Sequence, residues 1–419
     1  MPGLSGLALT KRESFEVLTD DGWTEIDAVH NLTELAALGA LDGKRVLVLD
    51  QNAVYTLDAS SVVAADGTRV VARTGGVGAG RWFLFQPRFD MLWVCQQFID
   101  TKLFGFSGAQ ASTIDQLSAP AVTLTLPALG PADGHAHTIN ALGFAPNGDM
   151  WIGYADTNPS PGAGQYLAKL SASKLLATAS VTPDFSFPVS PAPFSVSSNA
   201  VSSITVRPNG DLWLSTVALD TRSAGIYCYS AASIAAPGSP APAVVLAQAF
   251  PPVPDNPLHT HAANDLWFDS AGNLWFTDAV ASTVNRLSAA QLLVSNAAIV
   301  PEVILTVGQY TGVTIDTAGN LWCAAGGSTG DNLDMFGRAD ALVSGTPAVV
   351  RRISTTGGSA RKVRFDRDGN LWSLAPTGPH GYPRIDVAGS GSPPPRCTLT
   401  GAGALTAARV LNFNPASFH

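Results

Sequence analysis

The chain has 419 residues, with 24 Lys and Arg against 32 Asp and Glu and a formal charge of −8. Hydrophobic residues make up 46% and charged residues only 13%, about half the usual ~25%, so the chain can build a large core and leaves its surface to Ser, Thr, Asn, Gly and Pro. Forty Gly and 29 Pro exclude a helical bundle, and an acidic balance without a basic run argues against a nucleic-acid partner. No apolar run approaches the ~20 residues of a membrane span.

The opening residues, Met1 to Arg12, lack the basic start and long apolar stretch of a secretory signal, so no classical signal peptide is expected. Ser14–Leu18 and Trp23–Ile26 flank Asp20-Asp21-Gly22 as a predicted hairpin. Asn31–Leu38 reads as a short helix, with Leu32, Leu35, Ala36 and Leu38 able to share one face. Arg45–Leu49 and Ala53–Leu57 are predicted strands. Residues 1–80 therefore form a small α+β module, followed by a second domain over 81–419.

That second domain is built from repeats. One phrase recurs as Asp90-Met91-Leu92-Trp93, Gly148-Asp149-Met150-Trp151, Gly210-Asp211-Leu212-Trp213, Gly272-Asn273-Leu274-Trp275, Gly319-Asn320-Leu321-Trp322 and Gly369-Asn370-Leu371-Trp372. The tryptophans are spaced by 58, 62, 62, 47 and 50 residues. An alternating apolar segment precedes each phrase, such as Ile204–Arg207, and another follows it, such as Trp275–Thr277. Between them lie Asn-Gly, Ala-Gly or Asp-Gly, which predict two-residue hairpin turns because Gly and Asn tolerate positive φ. Tyr166–Leu170 and Val284–Leu287 read as third strands, Ala243–Leu246 and Pro301–Leu305 as fourth strands. Four antiparallel strands in each of six units of about 50 residues predict an all-β, six-bladed β-propeller. A lone four-stranded blade cannot cover its own faces. Arranged radially, each blade buries a face on the next, with the second-strand Trp supplying contact area.

A ring must also close. Ala408–Pro415 resembles a first strand with no Leu-Trp strand after it, and is one of two candidates to complete the first or last blade and latch the ring. Arg81–Phe85 competes for the same slot.

The phrase Asp269-Ser270-Ala271-Gly272-Asn273-Leu274-Trp275-Phe276-Thr277-Asp278 resembles the NHL-repeat propellers, nearest their streptogramin-lyase-like branch and more distantly the gluconolactonase family. The resemblance covers about four-fifths of the chain and implies fold rather than activity, because propellers include enzymes, binding modules and structural proteins. The stretch from Leu32 to Trp82 is similar to a small module near the start of many phage tail-fibre and tailspike proteins, where it precedes the receptor-binding part.

Aligning the repeats on their tryptophans exposes one candidate site. His135 and His259 fall 16 residues before Trp, His137 and His261 fall 14 before it, and Asn140 and Asn264 fall 11 before it. The intervening blade places Asn199 at the 14-residue position. Residues entering the innermost strands ring one mouth of a propeller channel, so His137, Asn199 and His261 are expected to converge there. Three roles stay open for this set. It can hydrogen-bond the neighbouring blade's backbone, bind a ligand or a divalent metal through His137 and His261, or supply acid and base groups. No cofactor is otherwise expected. Streptogramin-lyase-like enzymes use histidine with a nearby glutamate and magnesium, and no Glu lies in either His motif. Gluconolactonase-like enzymes use an early Glu with Asn and Asp, and the opening Arg81–Pro87 has no carboxylate.

Other motifs carry less. Asp366-Arg367-Asp368-Gly369-Asn370 looks like the start of a calcium loop but occupies a hairpin turn. Arg351-Arg352 and Arg361-Lys362 read as a solvated basic spot, and Cys95, Cys228, Cys323 and Cys397 as separate buried thiols. The expected function is a non-enzymatic structural and recognition propeller in a phage-type tail or fibre. It would be located in the virion or outside the cell, joined to other virion or assembly proteins through residues 1–80 and facing a host-surface ligand. The alternatives are a metal-dependent lyase or lactonase and an exported ligand-binding propeller.

Overall fold

The computed structural model of the chain describes residues 14–19, 22–29, 31–38, 45–48, 53–58, 70–72, 81–85, 91–96, 102–107, 119–126, 137–156, 165–175, 177–189, 200–217, 225–247, 263–296, 299–326, 331–355, 360–366, 369–375, 378–384, 386–395, 397–399 and 408–414. The chain divides between Phe89 and Asp90 into two units.

In the leading unit, Ser14–Thr19 and Gly22–Val29 form the expected hairpin, with Thr19 opposite Gly22. The helix spans Leu32–Ala37, and the Asn31 side chain caps it by accepting from the Glu34 amide at 3.0 Å. It serves as the crossover that lets Gly22–Val29 pair parallel with Arg45–Val48. Ala53–Asp58, Arg81–Phe85 and Val70–Ala72 complete a six-stranded sheet in that order. Arg81–Phe85 thus pairs with Ala53–Asp58 and Val70–Ala72. It belongs to this unit, the boundary lies past it, and it does not close the propeller. Its unbroken run of large apolar residues, Trp82 to Phe85, suits any sheet, so sequence pattern alone could not choose its partners.

The second unit is the expected propeller of six blades with four antiparallel strands each, and Ala179–Ser180 adds a short parallel strand at the outer edge of blade 1. From the innermost strand outward, blade 1 consists of Ala408–Asn414, Met91–Gln96, Lys102–Phe106 and Val122–Thr125. Blade 2 has His137–Phe144, Met150–Asp156, Gln165–Leu170 and Phe185–Pro188. Blade 3 has Ala200–Val206, Leu212–Val217, Gly225–Tyr229 and Val244–Ala247. Blade 4 has Ala263–Phe268, Leu274–Asp278, Thr283–Leu287 and Val303–Thr306. Blade 5 has Tyr310–Ile315, Leu321–Ala325, Asn332–Phe336 and Val349–Ser354, and blade 6 has Val363–Phe365, Leu371–Ala375, Gly378–Tyr382 and Cys397–Thr398. Ala408–Asn414 pairs with Met91–Gln96 and lies against the first strands of blades 6 and 2, so the C-terminal strand is the latch. Among the described residues, no helix is long and apolar enough to cross a membrane.

Each second-strand Trp packs into the seam toward the following blade. Trp213, Trp322 and Trp372 meet Phe268, Phe365 and Phe413 edge to face, at centroid distances of 5.9, 6.0 and 6.1 Å. Each of these phenylalanines lies near the end of the next blade's first strand, so one aromatic pair fixes both spacing and order around the ring. Removing such a buried Trp costs about 3–5 kcal/mol.

The hairpin turns differ from the two-residue form. Ala145 N–H donates to Asp149 O and Gly148 N–H to Ala145 O, leaving a three-residue loop with Gly148 at φ 85°. This is the wider hairpin with glycine in the left-handed region. Side chains hold it open. In blade 4 the Asp269 carboxylate accepts from the amides of Ala271 and Asn273, from Asn273 Nδ2, and from Trp275 Nε1 at 3.2 Å. The residue after each turn glycine then reaches outward: Asn273 Oδ1 accepts from Ala289 N, and Asp149 Oδ1 from Ala172 N. The recurring Gly-Asn and Gly-Asp are thus anchors for the connection that follows strand three.

An exposed outer edge invites mispairing. In blades 1, 3, 4 and 5 a hydroxyl from the next blade covers it. Thr178, Ser295, Ser344 and Ser390 accept from the amides of Thr123, Val245, Ile304 and Arg352 at 3.0, 3.0, 3.1 and 3.2 Å. Each hydroxyl stands seven residues after Ser171, Ser288, Gly337 or Pro383, the residue that leaves strand three. The same count from Ser230 falls on Pro237, which has no hydroxyl.

Candidate functional site

Of the residues expected at the channel mouth, His137, Asn140 and Asn264 are described, while His135, Asn199, His259 and His261 lie outside the described residues. His137 opens the first strand of blade 2. Its ring lies edge-on to Tyr154 at 5.7 Å and to Tyr166 at 6.4 Å, and its Nε2 is buried without a hydrogen-bond partner. Burial pushes the Tyr154 phenol up to about 12. Eleven residues before the tryptophan, side chains turn to main chain. Asn140 Nδ2 donates to Thr138 O at 3.2 Å, Ser202 Oγ to Ala263 O of the next blade at 2.7 Å, and Thr311 Oγ1 to Ala360 O of the next blade at 3.3 Å. Asn264 contributes its carbonyl, which accepts from Lys362 Nζ at 2.9 Å.

The strongest electrostatic feature of the ring was not anticipated. Asp265, Lys362 and Arg364 meet between the first strands of blades 4 and 6, all buried. Asp265 Oδ1 accepts from Ser203 Oγ, Lys362 Nζ and Arg364 Nη2, each at 2.9 Å. Its Oδ2 accepts from Arg364 Nη1 at 2.7 Å and from Val313 N at 3.0 Å. One carboxylate thus joins blades 3, 4, 5 and 6. Lys362 was expected on a solvated face, yet only 8% of it is exposed. Its ammonium donates to Ser202 O, Asn264 O and Asp265, which matches its three protons. Gly312 makes the approach feasible, since a Cβ there would stand 2.9 Å from Lys362 Cα. Arg364 also stacks on Trp267, with 4.9 Å from its guanidinium carbon to the ring centroid.

Burial alone would raise the Asp265 carboxyl, but Arg364 and Lys362 overcome it and hold it well below the usual carboxylate range. Burial lowers Lys362, with Arg364 adding to that and Asp265 opposing it. The cluster therefore carries two cations for one anion. Its chemistry is that of a clasp: the ammonium and the carboxylate are both fully engaged, and neither is offered as nucleophile or base. A sequence signal did exist. Asp265 and Lys362 stand ten residues before their tryptophans and Arg364 eight before, positions where the first strands otherwise carry small or apolar residues such as Ala141, Ser203 and Gly143.

The remaining motifs resolve locally. Asp366 accepts from Asn370 N, Asn370 Nδ2 and Trp372 Nε1, so it holds a turn. Arg352 forms a two-toothed pair with Asp334, at 2.7 and 2.9 Å. The four cysteines are buried thiols outside any disulfide, as expected. Among the described residues, no three His, Cys, Asp or Glu side chains form a metal-binding group.

No family model matches the sequence, and no curated protein matches it. Solved structures do. A protein of unknown function from Bacteroides caccae is 8% identical over 78% of this chain and 98% of its own, with a TM-score of 0.49. A luciferin-regenerating enzyme is 13% identical over 69% of this chain and 84% of its own, with a TM-score of 0.42. The WD40 propeller domain of Doa1 is 8% identical over 68% of this chain and 93% of its own, with a TM-score of 0.35. At these identities the likeness is one of fold alone.

Proposed function

We propose that the chain is a non-enzymatic recognition propeller of NHL type, a component of a phage-like tail or fibre. Its leading module docks on other assembly proteins, and the propeller presents a binding face to a host-surface ligand. The observation that carries this reading is the centre of the ring, where the hydrogen bonds of Asp265 and Lys362 are taken up by one another, by Arg364, by the Ser203 hydroxyl and by main chain. Buried charge used in this way serves a rigid ring, and a rigid ring is what a display surface requires. The similarity of Leu32–Trp82 to tail-fibre modules supports the virion assignment. The test is co-sedimentation of the labelled full chain with host cells and with tail particles lacking it. Saturable binding to either supports the proposal. Binding to neither, together with turnover of a lactone or macrocyclic ester, overturns it.

A metal-dependent lyase or lactonase through His137 and His261 is the second reading, favoured by the buried, unpartnered Nε2 of His137. A stoichiometric divalent ion in the full chain that is lost in both His137→Ala and His261→Ala would establish the metal site. A metal-free protein that still binds its target would remove it.

A further inference from the structure

Every innermost strand of the ring carries a β-bulge at the same level. Its pairing with strand two slips at Asn140, Ser202, Asn264, Thr311 and Arg409, in blades 2, 3, 4, 5 and 1. In blade 6 Arg361 and Lys362 share Leu374, whose carbonyl accepts from Arg361 N at 2.8 Å and whose amide donates to Lys362 O at 3.1 Å. A bulge leaves one residue out of the ladder and re-aims its side chain. Asn140, Ser202, Asn264, Thr311 and Arg361 are each partly exposed, although the residues on both sides of each are buried. Solvent therefore reaches the innermost strands at this level, and the bulge residues ring an opening on the axis.

The charge at this opening is one-sided. The segments that lead into the bulges, 137–140, 199–202, 261–264, 308–311, 358–361 and 406–409, hold two arginines, two histidines and no Asp or Glu. Against the main chain of two of them lies the buried Lys362 ammonium, 3.3 Å from Ser202 O and 2.9 Å from Asn264 O. Lys362 and Arg364 together exceed Asp265 by one positive charge. Carboxylates further along blades 4 and 5 are already held. Asp278 is 1% exposed and accepts from the amides of Val280 and Ala281, and Asp334 is bound by Tyr310 and Arg352. The side chains of Asn140, Ser202 and Thr311 bond to main chain, whereas those of Asn264 and Arg361 form no hydrogen bond or ion pair among the described residues. On a chain of charge −8, a recess of the opposite sign concentrates anions.

We infer that the axial opening binds an oxyanion, the carboxylate or sulfate group of a ligand. Arg361 supplies the charged donor, Asn264 Nδ2 a second donor, and the excess charge of Lys362 and Arg364 the surrounding field. The inference rests on the display reading above and gives its host-surface ligand an acidic group. Chloride is the reporter: the full chain should broaden the chloride NMR line, and glucuronate or inorganic sulfate should reverse the broadening while glucose does not. Reversal by glucuronate alone assigns a carboxylate, and by sulfate alone a sulfate. Arg361→Gln should weaken the effective competitor at least ~10-fold, a difference of ~1.4 kcal/mol. Asn264→Ala should weaken it less, and Arg338→Gln, in the connection after strand three at the far end of blade 5, should change nothing. Three results would each overturn the inference: no broadening beyond that of Arg361→Gln, reversal by glucose as effective as by the anions, or an equal loss in Arg338→Gln. Host-cell binding that survives Arg361→Gln would also overturn it and leave the display reading standing. Anion binding by a chain that binds neither host cells nor tail particles would keep the site and remove that reading.

Discussion

Replacing Asp265 by Asn keeps the shape of the side chain and removes its charge, leaving Lys362 and Arg364 buried, at 8% and 3% exposure, with no counter-ion. Breaking a buried pair by removing one partner costs about 3–5 kcal/mol. The amide also presents hydrogens where Arg364 Nη1 and Val313 N now donate. The propeller unit runs from Asp90 to His419, about 330 residues, and at ~2.1 cal/mol/K per residue its unfolding entropy is about 0.7 kcal/mol/K. The melting temperature should fall by about 4–7 °C. Lys362→Met should cost less, about 1–3 kcal/mol, because Arg364 still neutralises Asp265 and only two carbonyls lose their donor. The pH dependence has a definite sign. A carboxyl held below its unfolded value of ~3.9 contributes stability that is full above that value and is lost as pH falls toward the folded pKa. The gap between wild type and Asp265→Asn should therefore be constant from neutral pH down to about 4 and narrow below it. Calorimetry and urea titration of the full chain measure all three quantities. A change under about 1 kcal/mol for Asp265→Asn, or a larger penalty for Lys362→Met than for Asp265→Asn, would refute the clasp.

Gly312→Ala sets a Cβ 2.9 Å from Lys362 Cα and 3.0 Å from Val363 N, so blades 5 and 6 must part. A loss of about 1–3 kcal/mol in urea is expected, against little change for Gly238→Ala, where nothing lies within 4 Å. Ser344→Ala removes the acceptor for Ile304 N and should cost about 0.5–1.5 kcal/mol, with faster hydrogen exchange at that amide as the specific readout. Burial pushes the Cys95 and Cys228 thiols up to about 12 and Cys397 to about 11, and raises Cys323 as well. A thiol reagent at mildly alkaline pH should leave all four unmodified in the native chain and label all four in denaturant.

Blade number and strand order within each blade could be read from the residues, because each rests on local chemistry: a glycine in a tight turn, an alternating strand on either side, a tryptophan at a fixed offset. The closing strand could not, since two segments competed for it and only the pairing of Ala408–Asn414 with Met91–Gln96 decided between them. The leading hairpin and helix were legible for the same reason. Arg81–Phe85 was assigned to the wrong unit because strand pairing depends on which edge is free, and no short pattern encodes that. The site was legible only as histidine spacing, whereas the charges that meet at the ring centre lie 97 and 99 residues apart. Lys362 in isolation looks like any surface lysine. Only closure of the ring excludes water from that ammonium and brings it to Asp265, and in that low-dielectric setting the partner, rather than the residue type, decides what the charge does.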